Sequence, residues 1–411
     1  MRILMEQSGH ALKNLGDWAM LRVAVQRCRD VFPGCRIQVV GEDATRIREC
    51  IPEAEPITTA AREMVLSPPG ILGGSTALGR RTNKMLVRHM PAVGLPIARA
   101  GHRRRGADTA SFDQFVESLQ SADLVLASGG GYITDAFPMM VESVGGVLGL
   151  AQQYKKPTAM MGQGLGPLNQ PWLIAEARRS MRRLVKLGLR EGVSSPAIAQ
   201  LLNVPADRVT VTGDDAVELA YGQRTEELGT RLGINVRTAW YSKVQSDEVG
   251  ALRDAISSLL KRFNTMPRMV PISFYEDEDR VSTRALLGDA APTDEPSIDS
   301  PDDAIHAAGE CRLVITGSYH AGVFALSQGV PVVALAKSAY YVDKFRGLAG
   351  QFGPGCLIVR MDQPEMIREL TTKADDLWQN AARYRPELLE RAVQQIAAGR
   401  SAYASLAEVA A

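Results

Sequence analysis

The sequence predicts an α/β fold made of two successive series of parallel strands, with helical stretches between the strands. Three observations carry that prediction. Short apolar runs such as DLVLA alternate with longer amphipathic stretches. Several of those runs exit into glycine-rich segments, among them Ser128-Gly129-Gly130-Gly131, Gly162-Gln163-Gly164 and Gly213-Asp214-Asp215. Such strand exits are where open parallel sheets bind ligands. A polar stretch, GQRTEELGTR, then interrupts the pattern, which restarts near Gly233.

In chain order, residues 2–5 read as a first strand, and Asn14, Gly16 and Asp17 precede a helical stretch over 18–31. There Met20, Leu21, Val23, Ala24 and Val25 approximate one apolar face. Residues 36–40 read as the second strand. The region 44–110 reads as insertion-like: SPPGILGGSTALGRR has the breakers of a loop, and His102-Arg103-Arg104-Arg105 is a basic cluster. A helix over 111–120 follows, then strands over 123–127, 158–161, 187–190 and 209–212, with a helix over 196–202. The second series places strands over 235–239, 269–273, 313–316, 332–335 and 357–360, and terminal helices over 362–410. Residues 289–303 read as an acidic, turn-rich loop.

The chain's 411 residues accommodate two domains, set here at 1–225 and 226–411. With 47 Lys+Arg against 46 Asp+Glu the net charge is +1, which excludes a globally basic nucleic-acid binder. The five cysteines (Cys28, Cys35, Cys50, Cys311, Cys356) form no CxxC pair, so neither a disulfide framework nor a zinc ribbon is expected. The start MRILMEQSGHALKNLGDW lacks the apolar core of a signal peptide. No apolar run reaches the roughly 18 residues of a spanning helix. The expected location is the cytoplasm, at most with peripheral contact at the inner membrane face. No HExxH or Cys/His spacing points to a metal, and the YEDEDR acids Asp277 and Asp279 read as a solvated loop.

Four motifs invite chemistry. The glycine run Gly129–Gly131 reads either as a tight strand-to-helix turn or as a run whose backbone amides approach a ligand closely. Asn14-Leu-Gly-Asp17 reads as an N-cap turn, or as a site element. Arg190, at a strand end, either grips a carboxylate or phosphate or pairs with Glu191 or Asp214. In Thr316-Gly-Ser318-Tyr319-His320-Ala-Gly, His320 stands at a helix start, where it either caps the helix or meets an anion and moves a proton. His10, His89, His102 and His306 have no comparable setting.

Taken in order, NLGDWAML, DLVLASGGGYITD, GQGLGP, LGLREGVSS, VTGDDAVEL, TGSYHAGVFALSQGVPVVAL and YYVDKFRGL resemble the polysaccharide pyruvyl transferase family. The resemblance implies two Rossmann-like domains facing each other across a cleft, in the manner of glycosyltransferase B enzymes. It implies transfer of the pyruvyl group of phosphoenolpyruvate, as co-substrate, to a sugar or lipid-linked glycan acceptor, with release of phosphate and no further cofactor. Arg190 with Ser194 resembles the family's donor-binding R-x-x-S-like segment, with one residue more between them. His320 matches the histidine of the family's Arg-x-His motif, but Ser318 stands where the arginine belongs. Serine supplies neither the charge nor the forked donors of that arginine. Arg237, Lys337 and Lys344 are the candidate replacements.

On this reading Arg190 and His320 hold or protonate the donor, with Ser318, Tyr319 and Lys344 beside them. Gly129, Gly130, Gly131 and Gln163 line the cleft. Asn14, Gly16 and Asp17 face the acceptor, Asp17 as base. Two alternatives stay open: a nucleotide-sugar-dependent glycosyltransferase in the same cleft, and a non-catalytic member of a glycan pathway.

Overall fold

The structure, a computed structural model, describes residues 1–7, 9–70, 76–236, 246–275 and 278–410. Among the described residues, thirteen strands form two parallel sheets. The first contains β1 (Arg2–Glu6), β2 (Arg36–Gly41), β3 (Ala54–Thr58), β4 (Leu124–Ala127), β5 (Gly130–Ile133), β6 (Thr158–Leu165), β7 (Lys186–Leu189) and β8 (Val209–Val211). Their order is β3-β2-β1-β4-β6-β7-β8, with β5 also paired to β6. The second contains β9 (Arg231–Asn235), β10 (Pro267–Met269), β11 (Cys311–Thr316), β12 (Val332–Ala336) and β13 (Cys356–Arg360), in the order β10-β9-β11-β12-β13. Strands such as LVLA and VVALA are buried along their whole length, as expected where helices cover both faces of a parallel sheet.

Several expectations shift. Residues 44–110 carry more regular structure than expected: β3 extends the first sheet by pairing with β2, and four helices follow or flank it (Ala44–Cys50, Thr59–Leu66, Ala77–His89, Pro91–Arg104). A short edge strand containing Glu55 and Pro56 carries little apolar signal. In the presumed loop SPPGILGGSTALGRR, Ala77 onwards is helical, and residues 71–75 lie outside the described residues. The glycine run leads into β5, not into a helix, and the next helix begins only at Pro138. β9 and β10 each start earlier than expected, at Arg231 and Pro267. The 289–303 loop ends in a helix from Pro301, closed by a capping box on Ser300 and Asp303.

Besides the seam of strand exits, two connections among the described residues join the sheets. Backbone of the second series crosses to the first: Leu15 N–H donates to the Ile272 carbonyl at 2.9 Å and Phe274 N–H to the Lys13 carbonyl at 2.8 Å. Asp279 organises this crossing. It is fully buried, not solvated, and one carboxylate oxygen accepts from Ile272 N–H (2.9 Å), Ser273 N–H (3.0 Å) and the Asn235 amide (2.8 Å). Its partner in the motif, Asp277, lies outside the described residues.

The second connection is the long helix Met366–Ala404. It packs Leu370, Ala374 and Leu377 into the core of the second sheet, and Ala402 and Tyr403 into that of the first, beside Ile3 and Met5. At its far end a buried polar knot forms. Arg27 Nη1 lies 2.6 Å from Asp215 Oδ1, Arg27 Nε donates to Glu218 at 2.8 Å, and the Tyr403 hydroxyl donates to Asp215 Oδ2 at 2.8 Å. Burial lifts the Asp215 carboxyl to about 6, against the pull of Arg27 and Tyr403.

Removing one partner of a buried ion pair strands the other. Arg27→Ala is therefore expected to lower stability by about 3–5 kcal/mol in urea unfolding. A loss of only a few tenths would show the knot to be open to water.

Candidate active site

The exits of β1, β7 and β8 and the turn into β5 meet the exits of β11 and β12 along one seam. Asn14 caps the helix Leu15–Val31, its Oδ1 accepting from Gly16 N–H (3.0 Å) and Asp17 N–H (3.3 Å). That cap points Gly16 at the first turn of the helix Tyr319–Ser327. A Cβ on Gly16 would sit 1.9 Å from His320 Cγ, so glycine is what lets the imidazole lie against this helix.

His320 Nε2 lies 3.7 Å from Asp214 Oδ2, and Arg190 Nη1 lies 3.8 Å from the same oxygen. All three side chains are buried. Neither His320 Nε2 nor Asp214 Oδ2 has a hydrogen-bond partner. At 3.7 Å the two atoms sit just beyond hydrogen-bond distance of each other and within ion-pair range, so a small shift of either side chain would close the pair. Burial works against the charge on Asp214. Even so, His320, Arg190 and the Ala216 N–H (2.9 Å from Oδ1) hold its pKa below the ordinary carboxylate value.

Arg190 is placed by its backbone, which donates to Gln163 O and accepts from the Gln351 amide, both at 3.0 Å. Its guanidinium lies 4.2 Å from the Tyr319 ring centre. Lys344 comes from the helix Ala339–Phe352, with Nζ 4.0 Å from the Tyr340 ring centre, and the Tyr340 hydroxyl donates to Gly131 O at 3.0 Å. The two cations converge on Gly131. A Cβ there would meet Arg190 Nη2 at 2.6 Å and Lys344 Cε at 2.9 Å. Gly164 makes the same allowance for Arg190, where a Cβ would lie 2.4 Å from Nε.

The seam thus gathers Arg190, Gly131, Gly16, Tyr319, His320 and Lys344 from the candidates. Asp17 follows Gly16 directly and packs on Gly9. Ser318 is buried at the N-cap of the helix Tyr319–Ser327 without capping it through its side chain. Gly129 packs under Met20 and Gly162, and Gly130 opens β5. The side-chain oxygen of Asn14 serves its own helix. Gln163 is fully buried, with its amide nitrogen donating to the carbonyls of Ser128 (2.6 Å) and Met161 (3.1 Å) and its side-chain oxygen without a hydrogen-bond partner. It braces the glycine run from below. Ser194 is held by Glu191, which also accepts from the backbone N–H groups of Val193, Ser194 and Ser195 and so does not pair with Arg190. Of the replacement cations, Lys344 is at the site, Lys337 follows β12, and Arg237 lies outside the described residues. Asp214 and Tyr340 were not among the candidates, although the GDD exit of β8 marks the first.

A family model for polysaccharide pyruvyl transferase matches residues 14–338, and the chain belongs to that family of transferases. No curated protein sequence matches it. Among solved structures, the UDP-GlcNAc 2-epimerase of Neisseria meningitidis, bound to UDP-GlcNAc, is similar with a TM-score of 0.56 at 13% identity, covering 97% of this chain and 99% of that one. The glycotransferase of kitacinnamycin gives 0.53 at 14%, over 100% and 98%. The UDP-GlcNAc 2-epimerase of Methanocaldococcus jannaschii gives 0.54 at 10%, over 92% of each chain. These similarities show the fold, two Rossmann-like units of the glycosyltransferase B type.

Because the folded pKa of Asp214 is depressed, the carboxylate contributes stability above its unfolded value near 3.9 and loses it as pH falls through the folded one. Asp214→Asn is expected to flatten the acid limb of the stability profile. An unchanged acid limb would show that His320 and Arg190 do not hold this carboxylate.

Proposed function

We propose that this chain transfers the pyruvyl group of phosphoenolpyruvate to the hydroxyls of a cell-surface glycan precursor, forming a ketal and releasing phosphate. The convergence of Arg190 and Lys344 on Gly131, beside the open His320–Asp214 pair, is the observation that carries this reading. Phosphoenolpyruvate presents a phosphate and a carboxylate on one small carbon frame. Two cations from opposite sides of a seam match two anionic groups, and Lys344 takes over the charge that Ser318 does not supply.

The chemistry follows from those placements. One acceptor hydroxyl adds to the enol carbon while the methylene carbon takes a proton. The second hydroxyl then displaces phosphate, closing the ketal. His320 donates the proton to the methylene, with Asp214 orienting its ring. Asp17 accepts the hydroxyl proton, on the helix whose Gly16 touches His320. Tyr319 stacks under Arg190 and holds the fork in place. The reaction needs no further cofactor, and its donor places it in the cytoplasm.

One observation favours a second reading. Ser318 offers a neutral hydroxyl where a trianionic donor calls for an arginine, and a hydroxyl suits a ribose or sugar. In that case the cleft takes a nucleotide-sugar donor.

Calorimetry with phosphoenolpyruvate separates the two. The pyruvyl reading expects binding that weakens by about tenfold to a hundredfold in Arg190→Ala and in Lys344→Ala, the range for hydrogen bonds to charged groups. It also expects His320→Ala to bind the donor but turn over about 10²–10⁴ times more slowly. Binding of a nucleotide sugar with none of phosphoenolpyruvate would overturn it.

A further inference from the structure

Residues 64–107 hold eight Lys or Arg and no Asp or Glu, in a chain whose net charge is +1. The structure folds most of this segment into two successive helices, Ala77–His89 and Pro91–Arg104, on the outer side of the first sheet. Their inner face is well seated: Gly94 allows backbone contact with Leu86 and Val87, and Leu95 and Ala98 enter the core. Lys84, Arg88 and Arg99 tie the pair to the body through Glu142, Glu176 and Asp113.

The outer face is unusual. Opposite the buried Asn83 and Val87, Leu78, Arg81 and Met85 share one side of the first helix. Leu78 is 76% exposed and Met85 56%. Met90, between the two helices, and Val93, in the second, are exposed as well, and Arg103, Arg104 and Arg105 end the second helix. A cavity of about 340 Å³ opens beside the first helix; Leu66, Val87 and Met140 line it together with the charged Arg62, Glu142 and Glu176, and Met139 is 82% exposed at its rim. Exposed leucine and methionine flanked by arginines on a surface helix are the features of elements that lie in a membrane interface.

We propose that the helices Ala77–His89 and Pro91–Arg104 dock this chain on a bilayer surface carrying anionic phospholipid. Leu78, Met85, Met90 and Val93 insert below the headgroups while Arg81 and Arg103–Arg105 meet the phosphates. Charge complementarity selects an anionic surface, since the 44-residue segment contains no acid. The exposed apolar residues select lipid over nucleic acid, because the segment contains no Phe, Tyr or Trp on which a base could stack. No helix among the described residues is long and apolar enough to cross a membrane, so the contact is peripheral. This inference is independent of which donor the cleft takes.

Co-sedimentation of the full chain with phosphatidylcholine–phosphatidylglycerol vesicles, and with phosphatidylcholine vesicles, tests it. The wild type is expected to partition to the anionic vesicles alone, and less so at high salt. Each cation near such a surface is worth about fivefold in partitioning, so R81Q with R103Q is expected to lower it about twenty-five-fold. L78S with M85S is expected to lower it as well, with the melting temperature and donor calorimetry of both variants unchanged. Equal partitioning to both vesicle types, or none to either, overturns the proposal. So does single-stranded RNA binding that the charge variant loses and the apolar variant keeps.

Discussion

The buried link between Arg27 and Asp215 fixes the geometry on which the seam depends. Gly213, Asp214 and Asp215 leave β8 through a positive φ of 76° at Gly213, and a Cβ there would collide with Gln395 of the long helix. The chain therefore turns sharply, and the two neighbouring carboxylates face opposite ways. Asp215 is held by Arg27 and Tyr403; Asp214 is thereby aimed at Arg190 and His320. A charge buried for architecture sets the direction of a charge exposed to chemistry. Such a pair contributes little net stability against an apolar substitute, but it commits the backbone to one orientation.

Glycine does the complementary work at the seam. At residues 16, 131 and 164 the missing side chain is the space that His320, Lys344 and Arg190 occupy. In each case the side chain that fills the gap comes from a distant part of the sequence, and for Gly16 and Gly131 it includes one from the other sheet. Gly16 and Gly131 are therefore contact residues between the two halves, not loop punctuation. This differs from the anion cradles in which glycine amides at a helix start do the binding. Here the run 129–131 passes into a strand, and the positive charge comes from side chains.

Much of this was legible in the sequence. The alternation of apolar runs marked β1, β2, β4, β6, β7 and β8, and the ordered motifs pointed to the family that the match over residues 14–338 establishes. His320 and Arg190 stood out because each follows a strand exit. The two missed strands share a cause. β3 is an edge strand with a proline, and Gly130–Ile133 is a strand that opens on glycine, so neither has the apolar density on which strand reading depends. Asp279 looked solvated because its neighbours in sequence are charged; its burial is decided by Asn235 and the backbone of 272–273.

The path of the helix Met366–Ala404 bears on how the molecule is made. Ala402, Tyr403 and Leu406 complete an apolar cluster whose other members include Ile3, Met5, Leu21 and Leu126. On a ribosome the first sheet therefore emerges with part of its core uncovered and with Asp215 lacking the hydroxyl of Tyr403. It must wait until the entire second sheet has been synthesised before that surface is closed. The core of the first sheet is thus completed by residues nearly four hundred positions away, and the closure of that surface belongs to the last stretch of the chain to be made.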